Sequence, residues 1–177
     1  MKDKLRIVAK KKRSKFNLGS KAKAKLKNKI HFCLNEIFLT NKNIKTASLY
    51  SAINNEISPN EFINYLEQKN VTLSLPIIDS NTKSMFFKKW KPDDKLIKGP
   101  LGNLEPLENE KFILPQILVV PMLSFDKKLY RLGYGGGYYD KSINILKNYF
   151  KKEKKFFTTI GLAYSIQEEK QIPRENH

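Results

Sequence analysis

The sequence has very little cysteine, few acidic residues and no long hydrophobic run. Its 177 residues include one cysteine, Cys33, which cannot form a disulfide within the chain. No apolar stretch approaches the roughly eighteen residues that a membrane helix requires, and the first residues lack the apolar core of a secretory signal. These absences argue against a disulfide scaffold and a membrane-spanning protein, and we expect a protein of the cytoplasm.

The shortage of acidic residues leaves a large positive charge. Seventeen Asp and Glu oppose 34 Lys and Arg, for a net charge of +17. Such a charge attracts polyanions, including nucleic acid, nucleotides and polycarboxylate ligands, but does not choose among them. A composition bias across the whole genome explains the lysines equally well. In residues 1–30, Asp3 is the only acid, and this segment can be a solvated helix face, a phosphate-reaching arm or a nucleic-acid tail.

The chain has enough apolar residues for one substantial core. A hydrophobic content of 40% is too high for a disordered chain, and the length predicts a single domain, residues 1–177. Helical and strand-like patterns alternate, which predicts a three-layer α/β sandwich with a mostly parallel central sheet and Rossmann-like topology. The predicted helices are residues 21–39 after an N-cap at Ser20, a helix begun by a capping box at residues 58–61 and ended near Asn70, and residues 138–150. The predicted strands are residues 46–53, 71–78, 84–90, 117–121 and 156–164.

A glycine-rich loop, RLGYGGGYYD at residues 131–140, lies between a predicted buried strand and a helix. Ligands bind at this position in open α/β sheets, and consecutive glycines can turn several backbone N–H groups toward one anion. The spacing matches neither a Walker A loop nor a dinucleotide fingerprint, so a flexible turn is the structural alternative. Arg131 and Asp140 favour phosphoryl transfer, which uses a fixed cation and a metal-binding carboxylate.

The segment VVPMLSFDKKLYRLGYGGGYYDKSI, residues 119–143, resembles the signature of the 5-formyltetrahydrofolate cyclo-ligase family, also called methenyltetrahydrofolate synthetases. Further similar positions occur in order along the chain, at the basic N-terminus, Leu75-Pro76, Gly99-Pro100 and the final GLAYSIQEEKQIPRENH. The resemblance implies an enzyme that uses ATP and Mg²⁺ to convert 5-formyltetrahydrofolate to 5,10-methenyltetrahydrofolate, releasing ADP and phosphate. It implies a monomer that acts on small molecules, with no nucleic-acid or membrane partner.

The resemblance also implies which residues form the site. Arg131 is the expected catalytic cation and Asp140 the expected magnesium ligand. Glu56 suits the pterin ring, because one carboxylate can accept hydrogen bonds from adjacent N–H groups. The expected ATP-binding residues are Lys2, Arg6, Arg131, Leu132, Gly133, Tyr134, Gly135, Gly136, Gly137, Tyr138 and Tyr139. The expected folate-binding residues are Arg6, Ser51, Glu56, Tyr134, Gly135, Gly136, Gly137 and Tyr138.

Four other residues are assigned structural roles from the sequence. Asp126 precedes a turn and is expected to cap its own backbone. His31 is expected to be structural or exposed, and Phe87 and Trp90 are expected in the strand core more than in a folate pocket.

The sequence departs from the family pattern at its end. The resemblance implies an aspartate that helps to hold magnesium after the segment matching IPRENH, then a further strand, whereas the sequence stops at His177. If this end is natural, we expect weaker Mg²⁺ binding, an exposed sheet edge and a retained fold. Two alternatives stay open: a folate- or nucleotide-binding relative without turnover, and a basic nucleic-acid-binding protein, although none of the common nucleic-acid-binding motifs is present.

Overall fold

The structure is a computed structural model that describes residues 1–173. Within these residues the chain forms four helices, nine strands and a short 3-10 turn at Ser165–Gln167. The helices are α1 (Lys2–Ser14), α2 (Ser20–Thr40), α3 (Asn60–Gln68) and α4 (Tyr138–Lys152). The strands are β1 (Thr46–Ser48), β2 (Thr72–Asp79), β3 (Ser84–Lys89), β4 (Leu96–Lys98), β5 (Leu104–Pro106), β6 (Ile117–Pro121), β7 (Ser124–Phe125), β8 (Arg131–Leu132) and β9 (Thr158–Leu162).

The central sheet has five strands in the order β3-β2-β1-β6-β9. Strand β1 runs parallel to β2 and to β6, and β6 runs parallel to β9. Strand β3 is antiparallel to its neighbour, because a tight turn joins it to β2. Helix α3 connects β1 to β2 and α4 connects β6 to β9, so the two crossovers lead in opposite directions from the centre of the sheet. The prediction of a mostly parallel sheet is confirmed.

Strand β6 is buried on both faces, as its unbroken apolar sequence predicts. Ile117 and Val119 pack in the core with α2 and α3, whereas Leu118 and Val120 pack with α4 on the other face. All four are at most 2% exposed, and burial of such side chains contributes roughly 1.5–3 kcal/mol each. Helices therefore cover both faces of the sheet, which confirms the predicted three layers.

The predicted helix starts need correction. Ser20 is the first residue of α2, and its N-cap is Gly19. The capping box at residues 58–61 does not form, because Pro59 occupies the N-cap and Glu61 points toward α2. There its Oε2 lies 3.8 Å from both Lys27 Nζ and His31 Nε2.

Strand β1 is shorter than the predicted strand over residues 46–53. Its last paired residue is Ser48, whose hydroxyl donates to the carbonyl of Ser74 at 3.2 Å. Leu49 still donates its N–H to Ser74, and the chain then leaves the sheet. Tyr50 fixes the path of the chain after β1, because its hydroxyl donates a 2.5 Å hydrogen bond to the carbonyl of Ile57. Because β1 ends at Ser48, residues 51–56 lie outside the sheet, after the carboxyl end of this strand.

Among residues 1–173, no helix combines the length and the apolar character that crossing a membrane demands. The predictions that concern the end of the chain, the missing magnesium-binding aspartate and the missing strand, fall at or beyond residues 174–177, outside the described residues.

Candidate active site

The candidate site lies at the carboxyl ends of β1 and β6, two adjacent parallel strands. The crossovers that follow these strands lead away to opposite edges of the sheet, so a crevice is expected between them. The segment after β1 carries Ser51 and Glu56. The segment after β6 forms the β7-β8 hairpin, continues into the glycine loop and enters α4. The sheet therefore brings two distant parts of the sequence to the same edge, at the carboxyl ends of β1 and β6.

The hairpin that positions Arg131 is held by Asp126. The Asp126 carboxylate is 2% exposed; its Oδ1 accepts hydrogen bonds from the N–H groups of Lys128 and Tyr130, at 2.9 and 3.1 Å. Its Oδ2 accepts from the N–H of Ile172 at 2.9 Å. The expectation that Asp126 caps local backbone is confirmed, and its role is to fix the strand that carries Arg131.

Two glycines of the loop adopt backbone conformations that other residues rarely take. Gly135 has φ +110° and Gly137, the N-cap of α4, has φ +71°. In the described part of the chain no side chain caps the first turn of α4, so its N–H groups and the positive end of the helix dipole face the loop. This geometry suits a phosphate group.

Two arginine side chains, Arg6 and Arg131, contact the loop or the start of α4. Arg6, from α1, donates its Nε–H to the carbonyl of Gly133 at 3.1 Å. Its guanidinium also lies against Gly135, where a Cβ would sit 3.3 Å from Arg6 Cζ. Arg131 forms an ion pair with Asp140, the third residue of α4. The structure thus brings the predicted site residues Arg6, Arg131 and Asp140 together around one loop.

Glu56 is buried, and each of its carboxylate oxygens accepts one hydrogen bond within the protein, which leaves acceptor capacity on both oxygens. Its side chain is 4% exposed; Oε2 accepts the N–H of Ile53 at 3.0 Å, and Oε1 accepts the hydroxyl of Tyr134 at 2.7 Å. Burial raises the pKa of Glu56, while the hydrogen bonds from Ile53 and Tyr134 and the charge of Arg13 oppose that rise. Burial and the bond to Glu56 raise the pKa of Tyr134, so its hydroxyl stays protonated and able to donate.

Arg13 belongs to this site, although it was not predicted from the sequence. It is 1% exposed, and its Nη2 donates a 2.5 Å hydrogen bond to the Tyr134 hydroxyl. Helical spacing was the available signal: Arg6, Ala9 and Arg13 share one face of α1, and Ala9 is the other buried residue of that helix. This face is difficult to recognise in the sequence, because lysines occur on every side of the helix and each side therefore resembles a solvent-exposed surface.

The remaining predicted site residues lie on the same elements as the residues above, and their positions and burial can be described. Lys2 begins α1 one turn before Arg6, on the same side of the helix. Ser51 is half-buried in the segment after β1, and Leu132 is buried, with its carbonyl accepting the N–H of Leu123 in the hairpin. Tyr138 and Tyr139, the first two residues of α4, pack partly against the core, and the Tyr138 ring fills the space that a Cβ on Gly136 would take.

The residues assigned structural roles behave as expected. Phe87 and Trp90 are buried in the two core clusters, and His31 packs edge-on against Tyr65 on α3. The cluster that contains Phe87 also receives Tyr138 and Tyr139 from the end of the glycine loop.

The donor set fits the phosphates of a nucleotide and a magnesium ion held with them. Two arginines and a helix N-terminus suit phosphate oxygens. Asp140 is 79% exposed at its side chain and can reach a metal ion from solvent. Within residues 1–173 no three His, Cys, Asp or Glu side chains cluster as metal ligands, and Mg²⁺ commonly needs only one or two carboxylates when phosphates and water complete its shell.

Comparison with known proteins agrees with the resemblance. The sequence model of the 5-formyltetrahydrofolate cyclo-ligase family matches residues 1–177. A 5-formyltetrahydrofolate cyclo-ligase from Haemophilus influenzae is 34% identical over 137 residues, 75% of this chain and 70% of the relative. One from Mycoplasma pneumoniae is 32% identical over 132 residues, 73% of this chain and 66% of the relative.

Solved structures show the same fold. A 5,10-methenyltetrahydrofolate synthetase from Mycoplasma pneumoniae aligns with a TM-score of 0.68 at 24% identity, covering 98% of this chain and 91% of that one. A 5,10-methenyltetrahydrofolate synthetase from Aquifex aeolicus aligns with a TM-score of 0.67 at 27% identity, covering 99% of this chain and 84% of that one.

Proposed function

Because the chain belongs to the 5-formyltetrahydrofolate cyclo-ligase family, we propose that it converts 5-formyltetrahydrofolate to 5,10-methenyltetrahydrofolate, using ATP and Mg²⁺ and releasing ADP and phosphate. One observation of this structure carries the proposal. The hydroxyl of Tyr134, in the glycine loop, hydrogen-bonds to the Glu56 carboxylate. A loop suited to phosphate thus adjoins a carboxylate suited to a pterin, as a reaction between ATP and a folate requires.

The formyl oxygen is a poor leaving group, which explains the need for ATP. Transfer of the γ-phosphoryl group to this oxygen breaks the terminal phosphoanhydride bond, releases ADP and converts the oxygen to part of a phosphate ester. The neighbouring nitrogen of the folate then attacks the formyl carbon and loses its proton. The C–O bond breaks, phosphate leaves, and the five-membered ring is closed. Catalysis depends on alignment and charge neutralisation and needs no covalent nucleophile.

The residues of the loop have distinct parts in this proposal. The glycine backbone and the first turn of α4 bind phosphate oxygens, and Arg6 approaches from α1. Arg131 neutralises charge on the transferring group, where a fixed cation has its largest effect. Asp140 would hold Mg²⁺ together with the phosphates; the ion would supply charge neutralisation there.

The folate is proposed to bind beneath the loop. Glu56 accepts hydrogen bonds from the pterin N–H groups, with Ser51 and Tyr134 beside it, and Tyr138 and the loop glycines bound the pocket. The buried Glu56 carboxylate is suited to this task, because a hydrogen bond to a charged acceptor strengthens where water is excluded.

We further propose that residues 1–177 act as one catalytic domain, as a monomer in the cytoplasm, on small-molecule substrates. The single cysteine agrees with a reducing compartment, and the high positive charge attracts anionic substrates.

The proposal is tested by mixing the purified 177-residue chain with 5-formyltetrahydrofolate and following the near-ultraviolet absorbance of the methenyl product. We expect an absorbance rise that requires both ATP and Mg²⁺ and that Asp140→Ala strongly reduces at a fixed, low Mg²⁺ concentration. A chain that binds ATP without forming product would support the alternative of a binding protein without turnover. A steep salt-dependent affinity for random-sequence RNA, with neither folate nor ATP bound, would support nucleic-acid binding.

A further inference from the structure

Arg13 is the most deeply buried cation of α1. The buried residues of this helix are Ala9 and Arg13, and its lysines are exposed or half-buried. A charged side chain that is 1% exposed must recover its lost hydration through hydrogen bonds and an opposite charge. Its partners are therefore informative about its role.

The Arg13 guanidinium contacts both halves of the candidate site. Its Nε donates to the carbonyl of Asn54 at 3.1 Å, and its Nη1 donates to the carbonyl of Met122 at 3.3 Å. These two carbonyls belong to the segments that follow β1 and β6. Its Nη2 donates to the Tyr134 hydroxyl at 2.5 Å, and its Nη1 lies 3.7 Å from Glu56 Oε1.

Every nitrogen of the guanidinium is engaged by an acceptor of the protein itself. Arg13 therefore acts through two neighbours, the Glu56 carboxylate and the Tyr134 hydroxyl, which are joined by a 2.7 Å hydrogen bond. Only a planar fork with donors in several directions can reach all these acceptors at once, and the single ammonium of a lysine cannot.

We propose that Arg13 is a positioning residue that fixes the Glu56 carboxylate and the Tyr134 hydroxyl in place for the folate. This inference rests on the proposed function. Helix α1 would then have two functions. It would bind phosphate through Arg6, and it would hold the proposed pterin-binding groups in place through Arg13.

The charge environment of Glu56 makes the proposal testable by pH. The groups that face Glu56 are Arg13 from α1, Tyr134 from the glycine loop, Tyr50 from its own segment and Tyr139 from α4. Arg13 is the cation among them. Its removal takes away the positive charge that offsets the effect of burial, so protonation of the carboxylate should begin at a higher pH.

The test compares wild-type protein with Arg13→Gln, Arg13→Lys and a control, Lys11→Gln, which changes an exposed cation on the same helix. We expect the KM for 5-formyltetrahydrofolate at saturating Mg-ATP to rise about 10- to 100-fold in both Arg13 variants, as for the loss of hydrogen bonds to charged groups. The KM for ATP should change by less than about threefold, and the acid limb of kcat/KM for the folate should move to higher pH in Arg13→Gln. Lys11→Gln should match wild type.

A double-mutant cycle adds a readout that a purely structural role would not produce. Tyr134→Phe removes the hydroxyl that bridges Arg13 and Glu56. If Arg13 acts through this bridge, the effects of Tyr134→Phe and Arg13→Gln on the folate KM should be less than additive. Additive effects would overturn the positioning role.

The outcomes separate this inference from the proposed function. A wild-type chain that neither turns over nor binds 5-formyltetrahydrofolate overturns both. Wild-type turnover, with an unchanged folate KM and pH profile in Arg13→Gln, overturns the role of Arg13 alone. If Arg13→Gln fails to fold by thermal melting, Arg13→Lys, which keeps the charge and loses the fork, decides the question by its folate KM and by the same double-mutant cycle with Tyr134→Phe.

Discussion

The Tyr134 hydroxyl donates a 2.7 Å hydrogen bond to Glu56, a residue 78 positions earlier in the chain. This bond joins the glycine loop, which suits phosphate, to the carboxylate that suits a pterin. The ATP and the folate proposed for this site would therefore lie on either side of the Tyr134 phenol. A substitution in the loop should then change mainly the KM for ATP or mainly the KM for the folate, according to the side on which it lies.

Arg131→Lys should lower kcat with little effect on stability. Lysine keeps the positive charge but loses the planar fork that pairs with Asp140. Because Arg131 is proposed to neutralise the transferring group, we expect kcat to fall by roughly 100-fold. The measurement is the steady-state rate of methenyl product formation at saturating substrates. Lys127→Gln, an exposed change in the preceding turn, is the control, and a kcat within about threefold of wild type in Arg131→Lys would contradict the assigned role.

Gly135→Ala should weaken ATP binding. Gly135 has φ +110°, and an added Cβ would meet Arg6 Cζ at 3.3 Å, so both the loop and the arginine must shift. We expect a stability loss of about 1–3 kcal/mol from backbone strain and a rise of about tenfold in the KM for ATP, corresponding to ~1.4 kcal/mol. Gly19→Ala is the matched control, since its φ is −63° and a Cβ added there would enter open space among the described residues. An unchanged KM for ATP would remove Gly135 from the phosphate site.

Asp140→Asn should raise the Mg²⁺ concentration needed for half-maximal activity. The substitution keeps the size of the side chain and removes the negative charge that would attract the metal ion. We expect a shift of about tenfold in a magnesium titration at fixed ATP, with much of the rate recovered at high Mg²⁺. Asp93→Asn, at an exposed acid outside the site, should leave the titration unchanged. A proportional loss of rate at every Mg²⁺ concentration would argue against a metal ligand.

Activity should depend on the ionisation of Glu56. Burial raises its pKa above the ordinary 4.5, and protonation removes the charge that accepts the pterin hydrogen bonds. As pH falls through this raised pKa, kcat/KM for 5-formyltetrahydrofolate should therefore fall, starting at a higher pH than an ordinary glutamate would produce.

The stability contribution of Glu56 should have the opposite sign. Between the ordinary and the raised pKa, the folded protein binds more protons than the unfolded chain, so stability decreases as pH rises through this window. Denaturant melts of wild type and Glu56→Gln across that range would measure the effect. A difference between them that does not vary with pH would show that Glu56 titrates normally.

Asp126→Ala should destabilise the fold and reduce activity together. The carboxylate accepts hydrogen bonds from the N–H groups of Lys128, Tyr130 and Ile172, and alanine leaves these buried or half-buried donors without their partner. We expect a loss of about 2–4 kcal/mol in the free energy of unfolding, measured by urea denaturation. Activity at low temperature should also drop, because the hairpin carries Arg131. Full stability in Asp126→Ala would mean that the turn forms without its cap.

Much of the fold follows from local pattern. The apolar run at residues 117–121 predicts a strand buried on both faces, and β6 occupies those five positions with its side chains divided between two cores. The glycine loop could be located because three consecutive glycines between a strand and a helix have few other uses. Its contacts with Arg6 agree with the residues that the family resemblance implied.

The features missed by sequence reasoning depend on tertiary contacts. Ser58 and Glu61 have the spacing of a capping box, but the Glu61 carboxylate instead lies near Lys27 and His31 on α2. Arg13 resembles its lysine neighbours in sequence, and its burial depends on acceptors 41 to 121 positions away. No local pattern contains such information.

The separation of the site's parts along the chain has a consequence for the order of folding. The bonds from Arg6 to Gly133 and from Arg13 to Tyr134 close segments of 127 and 121 residues, whereas each strand-helix-strand half is built from nearby residues. Closing a long segment is entropically unfavourable until both ends are already structured. During refolding, helical content should therefore return before substrate binding, and α1 should dock onto the body of the protein in the final step.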